Sequence, residues 1–158
     1  MSDNIKRIAD NRAARHEYFI LERYEAGIEL FGTEVKSIRA GSVNLKDAWI
    51  GIEKTNGAKS LEAFVNQMHI SPYEQGNIFN REPLRKRRLL LHKREILKLY
   101  SEIKKGGLTL IPLQLYFKNS RVKIAVGLCK GKQSHDKRQA IADRDSKRML
   151  DREMKRKI

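Results

Sequence analysis

A single cysteine, Cys129, stands in the chain, so no intrachain disulfide can staple its fold. Long apolar runs are missing too. Leu89-Leu90-Leu91 is far too short to cross a bilayer. The opening MSDNIKRIADNRAARHEYFI holds no apolar stretch of the length a secretory leader needs. A soluble, cytoplasmic protein is the expectation. Metal-ligand spacings are absent: His16, His69, His92 and His135 stand far apart, and no HExxH or CxxC occurs. No Gly-Lys-Ser/Thr loop is present to cradle a phosphate. Glu22, Glu25, Glu29 and Glu34 concentrate carboxylates, but solvent-facing strand positions explain them as readily as a catalytic pair does. Cys129 follows Val126 and Leu128 and reads as a buried thiol rather than a nucleophile. These absences point away from an enzyme, and away from any cofactor or metal.

Negative charge is also short. The 158 residues carry 34 Lys and Arg against 19 Asp and Glu, a formal charge of +15. An excess of that size on one small domain calls for a polyanion. Nucleic acid and an anionic membrane surface are the candidates, with plain solvation as the bland alternative. Hydrophobic residues make up 40%, enough for one domain with its own core.

Residues 1–15 are polar and basic and read as an arm that orders on binding. HEYFILERYEAGIELFG reads as one long strand bulged at Gly27. TEVKSIR gives one or two helical turns, ended by Gly41 in a positive φ. SVNLKDAWIGIE and SLEAFVNQMHI read as two strands around the Asn56-Gly57 hairpin signal. A long connection follows. Leu89–Lys105 is predicted as a helix with Leu89, Ile96, Leu99, Tyr100 and Ile103 on one stripe, capped by Gly106-Gly107. LTLIPLQLYF and RVKIAVGLC are two more strands joined by a short turn. Near Lys130 the core pattern stops.

Five or more strands without regular βαβ units favour a small antiparallel barrel or sandwich with flanking helices. A barrel of oligonucleotide-binding type suits the charge. The expected division is a β-barrel domain over 1–130 and a basic tail over 131–158. From Lys130 onward the chain has eleven Lys and Arg against five Asp and Glu.

Four consecutive bases, Arg85-Lys86-Arg87-Arg88, precede the predicted helix, with Lys93 and Arg94 close behind. Such a cluster neutralises phosphates and releases counterions. Among the aromatics, Tyr73 and Phe79 lie in the long connection and are the better candidates for stacking on an unpaired base.

Six motifs occur in order along essentially the whole chain: NRAARH at 11–16, YEAGI at 24–28, GTEVKSIRAG at 32–41, HISPY at 69–73, RKRRLLLHKREI at 85–96 and GKQSHDKR at 131–138. Together they resemble the small protein B family, the SsrA-binding proteins that partner bacterial transfer-messenger RNA. The resemblance implies an oligonucleotide-binding-type β-barrel with flanking helices and a tail disordered when free. It implies binding to the tRNA-like domain of transfer-messenger RNA and delivery to ribosomes stalled on messages without a usable stop codon. Elongation factor Tu, alanyl-tRNA synthetase and the 70S ribosome with its small-subunit decoding centre are the implied pathway partners, and a monomer the implied state. Asn11, Glu25 and Leu90 match the family's RNA-binding positions. Arg15, Lys36 and Arg39 in the same motifs, with Arg85, Lys86, Arg87 and Arg88, complete the expected set.

The resemblance also gives the tail a role: it enters the decoding centre and the empty message channel. Gly131 turns the chain away from the barrel. Lys132, Lys137 and Arg138 meet ribosomal RNA phosphates, beside Asp136, and His135 stacks on a base. The helix beyond forms only among RNA, because a helix without packing is marginal. Ile141, Met149, Leu150 and Met154 supply only a thin apolar stripe. Gln133 stands where family members often carry Lys, Ser134 follows it, and Trp49 replaces other aromatics. The competing readings are a general basic nucleic-acid-binding or ribosome-associated structural protein, and an RNA-processing enzyme.

Overall fold

A computed structural model describes residues 4–55 and 60–156. The predicted Asn56-Gly57 hairpin falls outside the described residues. The N-terminal segment is ordered, contrary to expectation. It forms β1 (Ile5–Asp10) and α1 (Arg12–Glu17), followed by β2 (Tyr18–Ile28) and α2 (Gly32–Arg39). Ile8 and Ala9 of β1 pack on the barrel core, which gives this polar stretch the anchor its composition conceals.

The two strands expected around the hairpin are each broken. β3 (Val43–Asn44) is separated from β4 (Trp49–Lys54), and β5 (Leu61–Asn66) from β6 (His69–Ile70). Asp47 (φ 65°) and Gln67 (φ 61°) make the breaks; left-handed backbone at a non-glycine residue gave no signal in the sequence. β3 and β6 pair with each other instead. A 3-10 segment, Glu74–Phe79, precedes β7 (Arg87–Leu90), and α3 starts only at Lys93 and runs to Lys104. The predicted helix therefore begins four residues late: Arg87–Leu90 is strand, because Leu89 is a barrel residue paired with Ala63.

β8 (Leu108–Lys118) and β9 (Arg121–Gly131), of eleven residues each, form a hairpin. Asn119 and Ser120 turn it, both with positive φ, as a two-residue loop between twisted strands requires. Gly41, Gly106 and Gly107 take positive φ as expected.

Hydrogen bonding runs β8–β4–β5–β7–β2–β9 and back to β8, so six antiparallel strands close a ring. This is the predicted barrel, and closure leaves few edges open. β1 takes the stretch of β8 beyond its bridge to β4. The interior holds Ala26, Ile50, Val65, Leu89, Leu115, Ile124 and Val126, and Ile38 of α2 and Leu99 of α3 join the same core. A second, smaller core lies outside the ring: Ala14 of α1 packs with Ile111, Leu113, Tyr116, Ala125 and Cys129. That explains why β8 and β9 are buried on both faces.

β9 extends to Gly131, opposite Tyr18. Lys132 still donates its N–H to Glu17 O at 2.8 Å. Gly131 ends a strand without a positive φ, so it is not the turn the tail was expected to need. The tail is one helix, α4 (Ser134–Arg156). Ile141, Met149, Leu150 and Met154 are all exposed on it. No helix among the described residues is long and apolar enough to cross a membrane.

Candidate nucleic-acid interface

Pro112 interrupts β8, and the register with β9 shifts between Pro112 and Gln114. Proline has no N–H to give the ladder, so a bulge beside it is the natural outcome. The bulge frees two carbonyls for Asn11. Its Nδ2 donates to Pro112 O at 2.9 Å, and its backbone N–H to Leu113 O at 2.8 Å. Its Oδ1 accepts from the Ala14 N–H at 3.2 Å, the N-cap bond of α1. Asn11 is thus buried and fully engaged. It fixes α1 on the sheet rather than offering a polar atom to a base.

Cross-strand registers then set out the outer face. Leu90, Gly27, Lys123, Tyr116 and Arg7 form one row across β7, β2, β9, β8 and β1. Glu25, Ala125, Gln114 and Asp10 form the neighbouring row. Leu90 is exposed because Gly27 beside it has no side chain; a Cβ there would lie 3.2 Å from Leu90 Cβ. The bulge in β2 falls between Ile20 and Glu22, not at Gly27. Gly27 serves close approach instead.

Glu25 accepts from the Tyr116 hydroxyl at 2.5 Å and from Lys118 Nζ at 3.2 Å. The Tyr116 bond, the largest influence, together with Lys118 outweighs partial burial, which acts upward, and leaves the Glu25 carboxyl below its ordinary range. Burial first, and Glu25 second, push the Tyr116 phenol well above its ordinary value. Glu25 is therefore a fixed anion on a basic face, suited to accept from a base amine and unsuited to touch phosphate.

Arg15 stands at the α1 end of this face, its guanidinium 3.1 Å from Asp10 Oδ1. Beyond it opens a cleft of about 570 Å³ lined by Asp10, Arg12, Arg15, His16, Lys132 and Arg144. Lys132 Nζ donates to Arg15 O at 3.3 Å and sits 5.1 Å from the Phe19 ring centre. The first tail base is thereby part of the α1 end of the face. The side chains of His135 and Asp136 lie outside the described residues. Lys137 and Arg138 follow within the first turns of α4, Arg138 exposed and Lys137 half-buried.

The four-base run is less available than its composition suggests. Arg87 is fully buried, with Nε 2.6 Å from Glu34 Oε2 and Nη1 2.7 Å from Met68 O. It can meet no phosphate, which corrects its place in the expected set. Arg85 reaches the other oxygen of Glu34 at 2.5 Å, and Lys86 is paired with Glu53. Arg88 bridges Glu62 and Glu29. Arg87 and Arg88, the two of these bases that lie in β7, cannot face one ligand together, because a strand alternates its side chains. Lys36 lies 5.4 Å from the Tyr73 ring centre, and Arg39 5.6 Å from that of Phe117; both are exposed. The Phe79 side chain lies outside the described residues.

Asn11, Arg15, Glu25 and Leu90 are thus gathered onto one outer face, while Lys36 and Arg85 border α2. Sequence reasoning missed Arg23, Gln114, Tyr116, Lys118 and Lys123. Gln114 was the available signal: it is the lone polar residue within LTLIPLQLYF apart from Thr109.

The family model of the SmpB protein matches residues 8–156. SsrA-binding proteins of Clostridium tetani and Clostridium perfringens are each 57% identical over 150 residues, covering 95% of this chain and 92% of theirs. That of Acetivibrio thermocellus is 57% identical over 148 residues, covering 94% of this chain and 92% of its own. A solved structure described as "tmRNA-SmpB: a journey to the center of the bacterial ribosome" matches with a TM-score of 0.63 and 43% identity, covering 84% of this chain and 93% of that one. The chain belongs to the SmpB family of SsrA-binding proteins.

Proposed function

We propose that this protein binds transfer-messenger RNA through its tRNA-like domain and carries it to stalled ribosomes for trans-translation. The observation that supports this most directly is the contiguous outer face. The bulge at Pro112 docks Asn11, Asn11 caps α1, and α1 places Arg15 beside the row that carries Glu25. Leu90 ends the adjoining row. Bases for phosphate, one fixed carboxylate for a base amine, and one exposed leucine suit a folded RNA better than a uniform polyanion.

The protein acts as an adaptor and does no chemistry of its own. Residues 1–130, with Gly131 that completes β9, bind the tRNA-like domain. The segment beyond serves the ribosome, its bases Lys132, Lys137 and Arg138 meeting ribosomal RNA in the decoding centre and message channel. Disorder of this tail in the free protein and helix on the ribosome fit its exposed apolar stripe. The protein works in the cytoplasm as a monomer, with elongation factor Tu and alanyl-tRNA synthetase acting on the same RNA.

The test is binding to the tRNA-like domain against excess ordinary tRNA and duplex DNA at near-physiological salt. Strong preference for the tRNA-like domain is expected. Equal affinity for all three would make the chain a general basic nucleic-acid binder instead.

A further inference from the structure

Gln114 is 4% exposed, yet it lies on the outer face of the barrel between two charged groups. Its Oε1 accepts from Arg23 Nη2 at 2.7 Å. Its Nε2 donates to Asp10 Oδ1 at 3.3 Å. The same Asp10 oxygen accepts from Arg15. An unbroken chain thus runs from β2 across β8 and β1 to α1. A side-chain amide accepts at one end and donates at the other of one planar group. Its dipole matches its neighbours, with oxygen toward the guanidinium and nitrogen toward the carboxylate.

Arg23 needs such a brace. Its neighbour across β2 and β9 is Gly127, which has no side chain to pack against it, and Arg23 is exposed. An unheld arginine carries rotamer entropy that binding must then freeze. Held by one N–H, the guanidinium keeps its other donors for a ligand. Arg23 lies two residues from Glu25 on the same strand and face, and the amide–carboxylate chain connects it to Arg15.

We propose that Arg23 is a phosphate ligand for the bound RNA, and that Gln114 is the residue that positions it. The two arginines then engage neighbouring phosphates on either side of the Asp10–Gln114 bridge, and the carboxylate of Glu25 lies beside that track. This inference rests on the reading that the outer face binds the tRNA-like domain.

The experiment measures affinity of the full chain for the tRNA-like domain over about 50 to 200 mM salt. One lost phosphate contact lowers the salt slope by about 0.9 and weakens binding about fivefold near physiological salt. Arg23→Gln should do both. Arg23→Lys and Gln114→Met keep the charge, so each should weaken binding while leaving the slope unchanged. Adding Gln114→Met to Arg23→Gln should cost nothing further, since Gln114 acts through Arg23. A merely structural Gln114 would cost the same in both backgrounds, and that result overturns the positioning role.

Melting temperatures accompany each variant. If Gln114→Met does not fold, Arg23→Gln and Arg23→Lys decide, because Arg23 is exposed. Unchanged affinity and slope in Arg23→Gln, with Arg15→Gln weakened, overturns the inference and leaves the functional reading standing. A wild-type chain that fails to prefer the tRNA-like domain overturns the reading itself and this inference with it.

Discussion

Arg87 and Glu34 form an ion pair sealed inside the protein, with Arg87 Nε 2.6 Å from Glu34 Oε2 and side-chain exposures of 0% and 4%. The pair joins the first turn of α2 to the start of β7. Arg85 takes the second oxygen of Glu34, and the Phe31 N–H donates to it as well. Arg87 spends its remaining donors on Met68 O and Pro83 O. Every strong group has a partner, which is the condition under which a buried pair is tolerated.

Removing one partner alone should therefore be severe. Glu34→Gln leaves a buried guanidinium uncompensated and should cost about 3–5 kcal/mol, a large share of an ordinary domain's stability. Replacing both residues by Met should cost much less than the sum of the single changes. Urea unfolding checks both. Additive losses would mean that the two side chains are not energetically coupled.

The same carboxylate sets an acid limit. Burial pushes Glu34 up, but bonds from Arg85, Phe31 N–H and Arg87 outweigh it and hold the group below its usual 4.5. A depressed folded value gives stability that is fully present above the unfolded value and lost as pH falls through the folded one. Wild-type stability should decline below about pH 4.5, and Glu34→Gln should show a shallower decline there.

Tyr116 gives the corresponding relation on the outer face. Tyr116→Phe removes the strongest influence holding the Glu25 carboxyl down. Its carboxyl titration, followed by NMR, should move up toward the ordinary range. The stability cost should be about 0.5–1.5 kcal/mol, because Lys118 still pairs with Glu25. Weaker binding of the tRNA-like domain should accompany it. Unchanged binding would show that the orientation of Glu25 does not matter to RNA.

The barrel was legible because its strands are rich in Val, Ile and Leu between polar turns, and β8 and β9, buried on both faces, read as two apolar runs on either side of a short turn. The errors have specific causes. Asp47 and Gln67 adopt left-handed backbone, which neither residue type announces. Arg87 is sequentially one of four bases, and only the fold reveals Glu34 opposite it. Asn11 carries the family motif, yet its partners are the carbonyls of a bulge about a hundred positions away. The site was legible as a set of residue types. The pairing of Arg23 with Gln114 was not, because register across strands is not written in either strand alone.

Cys129 is fully buried, and burial pushes its thiol up to about 11. Little thiolate exists at pH 8, and no route reaches it in the folded state. A disulfide reagent should leave the native chain unmodified at that pH and label it once in urea. Rapid labelling of the native chain would mean that α1 lifts readily from the outer face, exposing the smaller core.

The tail provides the last test, and the structure moves the cut. Ending the chain at Lys130 would remove Gly131 from its pairing with Tyr18 and Lys132 from Glu17 and Arg15. A loss of RNA binding in that variant would confound tail with barrel. A chain ending at Gln133 keeps those contacts. α4 adds none of its exposed apolar residues to either core, so the melting temperature should stay within a degree or two of the full chain. Binding to the tRNA-like domain should persist, while tagging on stalled ribosomes should be lost. Loss of RNA binding instead would place Arg144, which lines the α1 cleft, in the RNA site, and would overturn the proposed division between barrel and tail.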